Sequence, residues 1–219
     1  KYCCVMSAQV SVDVAVQFLA EYYDIKASFV ELLPSYDDQN FLITGVQGGS
    51  NVHEKWVMKI SCRGDSEGEI DLENKAMEHI ETKAREIRSR LDEDLCSRNV
   101  VVRTPCPVKS KDCKFITRMD AKRLGYASNE IAKEMVGFKF LMVRLVTYIE
   151  GEVMAKSHQT QELLVDLGRK LGMMDRFFFD FKHKHAKRDI KWDLMNAERE
   201  IKKNLSFVQS LENGAYKTP

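Results

Sequence analysis

Two stretches decide how this chain reads. Leu33-Pro34-Ser35-Tyr36-Asp37-Asp38-Gln39-Asn40-Phe41 is a polar turn set between apolar runs, and Trp56-Val57-Met58-Lys59-Ile60 is a strand carrying one lysine. Ala27 to Leu33 and Phe41 to Val46 have the β-branched and aromatic content of strands, and Pro34 to Asn40 joins them. Gly48-Gly49-Ser50 then turns the chain into Lys55 to Cys62, which predicts a three-stranded antiparallel meander. Side chains alternate along a strand, so Trp56, Met58 and Ile60 share one face while Val57, Lys59 and Ser61 share the other. A lysine on a half-buried sheet face can neutralise phosphate, provided a carboxylate from a covering helix holds it in place.

Working outward, Ser11 is placed to cap a helix whose Val12, Ala15, Phe18, Leu19 and Tyr22 fall on one face. From about Glu69 to Leu91 the residues Ala76, Ile80, Ala84, Ile87 and Leu91 recur at helical spacing and predict one long amphipathic helix. Glu73, one turn before Met77 and two before Ile80, is the first choice for the carboxylate beside Lys59, with Glu69 on the same face as its rival. Phe115 to Met119 and Phe138 to Tyr148 read as further strands. The longest apolar tract, Met135 to Ile149, is interrupted by Lys139 and Arg144, is too short to cross a bilayer, and reads as a buried strand. Beyond Gly151 the pattern is helical only. Leu164, Leu167, Leu171, Met174 and Phe178 form one face, and Leu194, Ala197, Ile201, Leu205 and Val208 form another. The expected class is α+β, with an antiparallel-sheet lobe and its long helix in residues 1–148, and a hinge and the start of a helical lobe in residues 149–219.

Composition excludes several functions. The 219 residues are 44% hydrophobic, enough to bury a core, and 34 Lys+Arg against 33 Asp+Glu leave a net charge of +1, so nothing global favours nucleic acid or an anionic membrane. Cysteines at positions 3, 4, 62, 96, 106 and 113 form no C-x-x-C pair and predict reduced thiols. Met6-Ser7-Ala8 reads as a natural start, which makes residues 1–5 upstream or processed sequence, and no signal-peptide pattern stands there. The Pro34 to Asn40 turn contains no glycine and is not a G-x-G-x-x-G loop; no Walker-type segment occurs either. Its backbone N–H groups can still cradle phosphate, with Ser35 and Asn40 adding side-chain contacts. Asp37 and Asp38 would repel phosphate and are assigned to capping the turn, directed away from it. His183-x-His185 lacks a carboxylate or cysteine at ligand spacing and reads as a solvated basic loop; Phe177-Phe178-Phe179 reads as core, and no metal site is predicted.

In order along the chain, Leu33 to Phe41, Val57 to Ile60, Leu72-Glu73-Asn74, Arg144 to Gly151 and Trp192-Asp193-Leu194 resemble the hydroxylysine kinases, a branch of the aminoglycoside phosphotransferase family with a protein kinase-like fold. The resemblance covers nearly all of the chain, and Leu-Pro-Ser-Tyr-Asp-Asp is its most specific part. It implies transfer of the γ-phosphoryl of GTP to the hydroxyl of 5-hydroxy-L-lysine, giving GDP and 5-phosphohydroxylysine, in the cytoplasm. GTP or ATP with Mg²⁺ are the implied cofactors, and nucleotide and a small hydroxylated amino acid the implied partners. Carried over, Ser35 and Asn40 lie in the phosphate-side loop, Lys59 contacts phosphate, and Thr147-Tyr148-Ile149 is the hinge beside the base, through mostly backbone contacts.

Two departures stand out. The branch often has glutamine where Glu73 stands, which keeps Asp71 and Glu69 open as partners of Lys59. The family's His-Gly-Asp catalytic loop, its downstream Asn and the later metal-binding Asp have no counterpart in these residues, and Asp180-Phe181-Lys182 lacks the glycine of a D-F-G segment. The chain is therefore expected to be an N-terminal portion, inactive alone. The alternative is a noncatalytic kinase-like nucleotide-binding or regulatory protein; a choline- or homoserine-type kinase stays open within the enzyme class.

Overall fold

The computed structural model describes residues 10–35, 38–61, 67–91, 101–120, 123, 140–189 and 193–210, with side chains in the last helix described as far as residue 205. Expectations on Met6 to Ala8, on the Cys3, Cys4, Cys62 and Cys96 thiols, on Tyr36 and Asp37, and on Trp192 lie outside the described residues. Cys106 and Cys113 are free thiols. The chain divides into two compact units, Lys1–Phe181 and Lys182–Pro219.

The first unit opens with α1 (Val12–Tyr23). Ser11 caps it, its Oγ accepting from the Val14 N–H at 3.3 Å, and Asp24 ends it in the left-handed conformation at φ 56°. Ala15, Phe18, Leu19 and Tyr23 are buried, while Val12 at the predicted edge of the face is exposed. Tyr22 instead stacks on Phe18, ring centroids 4.3 Å apart.

The strands β1 (Ile25–Leu33), β2 (Gln39–Gln47) and β3 (Glu54–Ser61) form the predicted antiparallel meander. β4 (Pro107–Val108), β5 (Thr117–Asp120) and β6 (Phe140–Thr147) complete one antiparallel sheet in the order β1-β2-β3-β6-β4, with β5 also on β6. The two-residue β4 escaped the sequence because Pro107-Val108 is too short to show an alternation. Along β3, Trp56, Met58 and Ile60 are buried, and with Phe41, Ile43, Val143 and Leu145 they meet α1 in the main core. Each such side chain stabilises the fold by about 1.5–3 kcal/mol relative to exposure. The opposite parity therefore faces away from α1, and register brings Asn40 of β2, Lys59 of β3 and Arg144 of β6 into one row across the sheet.

The long helix α2 (Glu67–Arg88) buries Ile70, Asn74, Ile80 and Ala84. Ile80 and Ala84 form a second core with Val101, Val102 and Phe177, the last from α3 (Gln161–Phe178). Met173, Met174 and Phe178 pack beside it, whereas Leu164, Leu167 and Leu171 of the predicted face are exposed. The stripe is apolar along its whole length, but only the last turns of α3 reach α2. Of the three phenylalanines expected in the core, Phe177 and Phe178 are there and Phe179 is exposed.

The second unit contains a 3₁₀ turn at Leu194–Asn196, capped by the Asp193 carboxylate, and the helix α4 (Ala197–Ser210). Arg199 pairs there with Asp189 at 2.5 Å and with Glu200 at 3.3 Å. Among the described residues no helix is long and apolar enough to cross a membrane.

Candidate functional site

Lys59 projects from the middle of β3 toward the start of β2. Its Nζ donates to Oδ1 of Asn40 at 3.3 Å and lies 3.2 Å from Oδ2 of Asp38. Asn40 in turn donates through Nδ2 to Oγ of Ser35 at 3.1 Å. Ser35, Asn40 and Lys59, named separately from the sequence, are thus one hydrogen-bonded chain running from the loop into the sheet. Lys59 and Asp38 are partly exposed, at 26% and 21% of their side-chain surface. The expectation that Asp38 turns away is corrected: it closes on the lysine. The cause is charge, since a cation half out of water on a sheet face draws the nearest carboxylate that can reach it.

The pairing expected between Lys59 and Glu73 is also corrected. Glu73 of α2 accepts from Nη2 of Arg144, and Nη1 of the same arginine donates to Oδ1 of Asn74 at 3.2 Å. The Arg144 side chain is only 9% exposed. A guanidinium withdrawn that far from water needs a counter-charge and acceptors on the element covering it, and α2 supplies both. Lys59 is served from the loop instead, and neither Glu69 nor Asp71 is among its partners. Asn74 is itself buried, and among the described residues its Nδ2 has no hydrogen-bond partner. From the sequence Arg144 stands out only as a charge in the apolar tract and the first residue of the Arg144 to Gly151 segment, with no role at the site. The available signal was a lone arginine inside the apolar run Phe140 to Thr147, which has to find an acid across the sheet.

At the proposed hinge most backbone donors are already used. The Thr147 N–H donates to the carbonyl of Cys106 at 2.9 Å while its Oγ1 accepts from the Cys106 N–H at 2.9 Å. The Tyr148 N–H donates to the Lys55 carbonyl at 3.0 Å. Ile149, 41% exposed, follows immediately. Lys55 borders this end, 2.7 Å from Glu150 and with Nζ 5.6 Å from the Tyr148 ring centre; its pKa is raised, first by the hydrogen bond to Glu150. The Cys106 thiol is pushed up by burial.

The remaining candidates resolve into structure. Asp180 binds Nζ of Lys83 at 2.6 Å and lies 3.2 Å from Nε2 of His79, which also contacts the Phe177 carbonyl at 2.7 Å. It ties the end of α3 to the middle of α2. In the second unit the His185 N–H donates to Nδ1 of His183 at 3.2 Å. Among the described residues no group of three or more His, Cys, Asp or Glu side chains is placed to hold a metal ion. A shallow concavity lined by Tyr22, Arg118, Asp120, Arg123 and Phe140 shares no residue with the lysine site.

No family model matches the chain. It is similar to hydroxylysine kinase of Xenopus laevis, with 30% identity over 167 residues, and to hydroxylysine kinase of Danio rerio, with 26% identity over 165 residues. These alignments take in 76% and 75% of this chain but 37% and 38% of the relatives, so the chain spans well under half their length. Both relatives are kinases by name, and the similarity supports a kinase-like family. Among solved structures the chain is similar to the microcompartment-associated aminopropanol kinase at 16% identity, with a TM-score of 0.49, over 85% of this chain and 46% of that one.

Proposed function

We propose that these residues are the nucleotide-binding part of a small-molecule kinase that transfers the γ-phosphoryl of GTP to the hydroxyl of 5-hydroxy-L-lysine. The observation that carries the proposal is the linked set Ser35, Asn40 and Lys59 at the mouth of the β1–β2 loop, in a chain whose relatives are named hydroxylysine kinase. Lys59 meets phosphate charge, Ser35 and Asn40 shape the loop around it, and Ile149 with Thr147 and Tyr148 borders the base. Glu73 acts at one remove, by holding Arg144 beside Lys59 in register. Residues 1–148 then form the nucleotide lobe, and residues 149–219 the hinge and the beginning of a helical lobe.

Phosphoryl transfer also needs Mg²⁺ and a group to orient the hydroxyl nucleophile. The donor set for the ion is not found among the described residues, and the 219 residues contain no H-x-D-x-x-x-x-N segment. Their own part is therefore to bind and orient the nucleotide, and the 219-residue chain by itself turns over no hydroxylysine.

The test is a titration of the 219-residue chain with a fluorescent GTP analogue, with ATP as competitor. Saturable binding is expected, weakened about tenfold or more in Lys59→Met with the circular dichroism spectrum unchanged. Binding that ignores the substitution removes the lysine assignment, and a folded chain that binds no nucleotide removes the function.

A further inference from the structure

We propose that Asp38 is the counter-anion that the phosphates of a nucleotide displace from Lys59, so that a loop carboxylate sets the affinity of this site for polyphosphate. The inference rests on the assignment of Lys59 to nucleotide binding and adds a residue that opposes it. Three observations carry it. First, the helix carboxylate expected at Lys59 is committed elsewhere: Glu73 is bound to Arg144, which is nearly buried and loses far more than a surface residue if its acid is withdrawn. Second, the Asp38 carboxylate lies 3.2 Å from the Lys59 ammonium, an ion pair with the same group that an arriving phosphate oxygen would seek. Two anions on one ammonium repel each other, and an arriving phosphate is paired fully only when Asp38 has left. Third, the pair is open enough to exchange. Lys59 and Asp38 both retain contact with water, where an ion pair is worth little. The Asn40 amide stays on Lys59 and Ser35 while the acid swings out, so the lysine keeps its aim.

The experiment compares Asp38→Asn and Asp38→Ala with the native chain, titrating GTP, GDP and guanosine separately at low and at physiological salt. Urea midpoints of each variant report that the fold is kept. Both substitutions are expected to tighten GTP binding roughly three- to tenfold, GDP less, and guanosine not at all, with the gain shrinking as salt rises. Unchanged or weaker GTP binding in both variants overturns the proposal, because Asp38 would then merely hold the lysine. An equal gain for guanosine also overturns it, since the acid would then act on something other than phosphate. Should the native chain bind GTP through Lys59 while the Asp38 variants match it, only the counter-anion role falls. Should the folded native chain bind no nucleotide, both assignments fall together.

Discussion

Glu73 on α2 accepts a hydrogen bond from Arg144 on β6, and Arg144 stands directly across from Lys59 on β3. One helix acid therefore fastens α2 to the sheet through a nearly buried guanidinium, one strand over from the lysine it was expected to serve. The position of α2 is in this way independent of whether Lys59 holds a carboxylate or a phosphate.

Removing the two partners has unequal effects. Arg144→Met strips donors from Glu73 and from the buried Asn74 and is expected to cost about 2–3 kcal/mol. Glu73→Gln leaves the nearly buried Arg144 guanidinium without its counter-charge and is expected to cost more, about 3–4 kcal/mol. Urea unfolding of both variants checks the order; a costlier Arg144→Met would mean that the packing of the guanidinium and its bond to Asn74 outweigh its charge.

Gly45 sits where β1 is irregular between Ala27 and Phe29. A Cβ there would stand 2.4 Å from the Lys26 carbonyl oxygen and 2.9 Å from the Ala27 Cα, both backbone atoms that cannot swing aside. Gly45→Ala is expected to destabilise by about 1–3 kcal/mol as the strands are forced apart. Gly48→Ala meets no atom but keeps a left-handed φ of 60°, and is expected to cost about 1 kcal/mol. Equal midpoints for native chain and Gly45→Ala in thermal unfolding would contradict the close approach.

Tyr23 is buried beneath the sheet with its hydroxyl 3.2 Å from Thr117 Oγ1, and burial raises its pKa from 10.0 to about 12. The folded state thus keeps the proton where the unfolded chain has lost it. The stability this contributes is complete below pH 10 and falls away as pH rises to about 12. At a pH one unit above the unfolded value the loss amounts to roughly 1 kcal/mol. Tyr23→Phe lacks that step, so the difference between native and variant urea midpoints should hold from neutral pH to near pH 10.0 and shrink above it. A difference that stays constant would place the hydroxyl in water.

Asp180 is held below the ordinary carboxylate range, first by its hydrogen bond to Lys83. Its contribution is present above pH 3.8 and is lost as pH falls through the lower folded value. The carboxylate is exposed, so the effect is small and salt-sensitive. Asp180→Asn is expected to flatten the acid limb of the stability profile slightly and to leave nucleotide binding as it is. Loss of nucleotide binding in this variant would reopen Asp180 as a ligand-site residue.

Much of the lobe was legible from local pattern. The strands on either side of Pro34, the alternation that puts Lys59 opposite Met58 and Ile60, the Ser11 cap and the period of α2 all follow from covalent geometry: side chains alternate in a strand and repeat every 3.6 residues in a helix whatever the rest of the chain does. β4 was not legible, because Pro107-Val108 pairs with Leu145 and Val146 of a strand far along the chain. The burial of α3 was legible only as a stripe; which turns of the stripe are covered depends on where α2 ends.

The chemistry of individual residues divides along the same line. That β3 carries Lys59 on the face opposite Met58 and Ile60, and that acids stand on α2 and in the loop before β2, is written in residue order alone. Which acid meets which cation is not, because Lys59 and Arg144 are adjacent only through strand register. Burial decides between them: the deeper guanidinium takes the helix acid and the outer ammonium takes Asp38, since an unpaired charge costs most where water is furthest away.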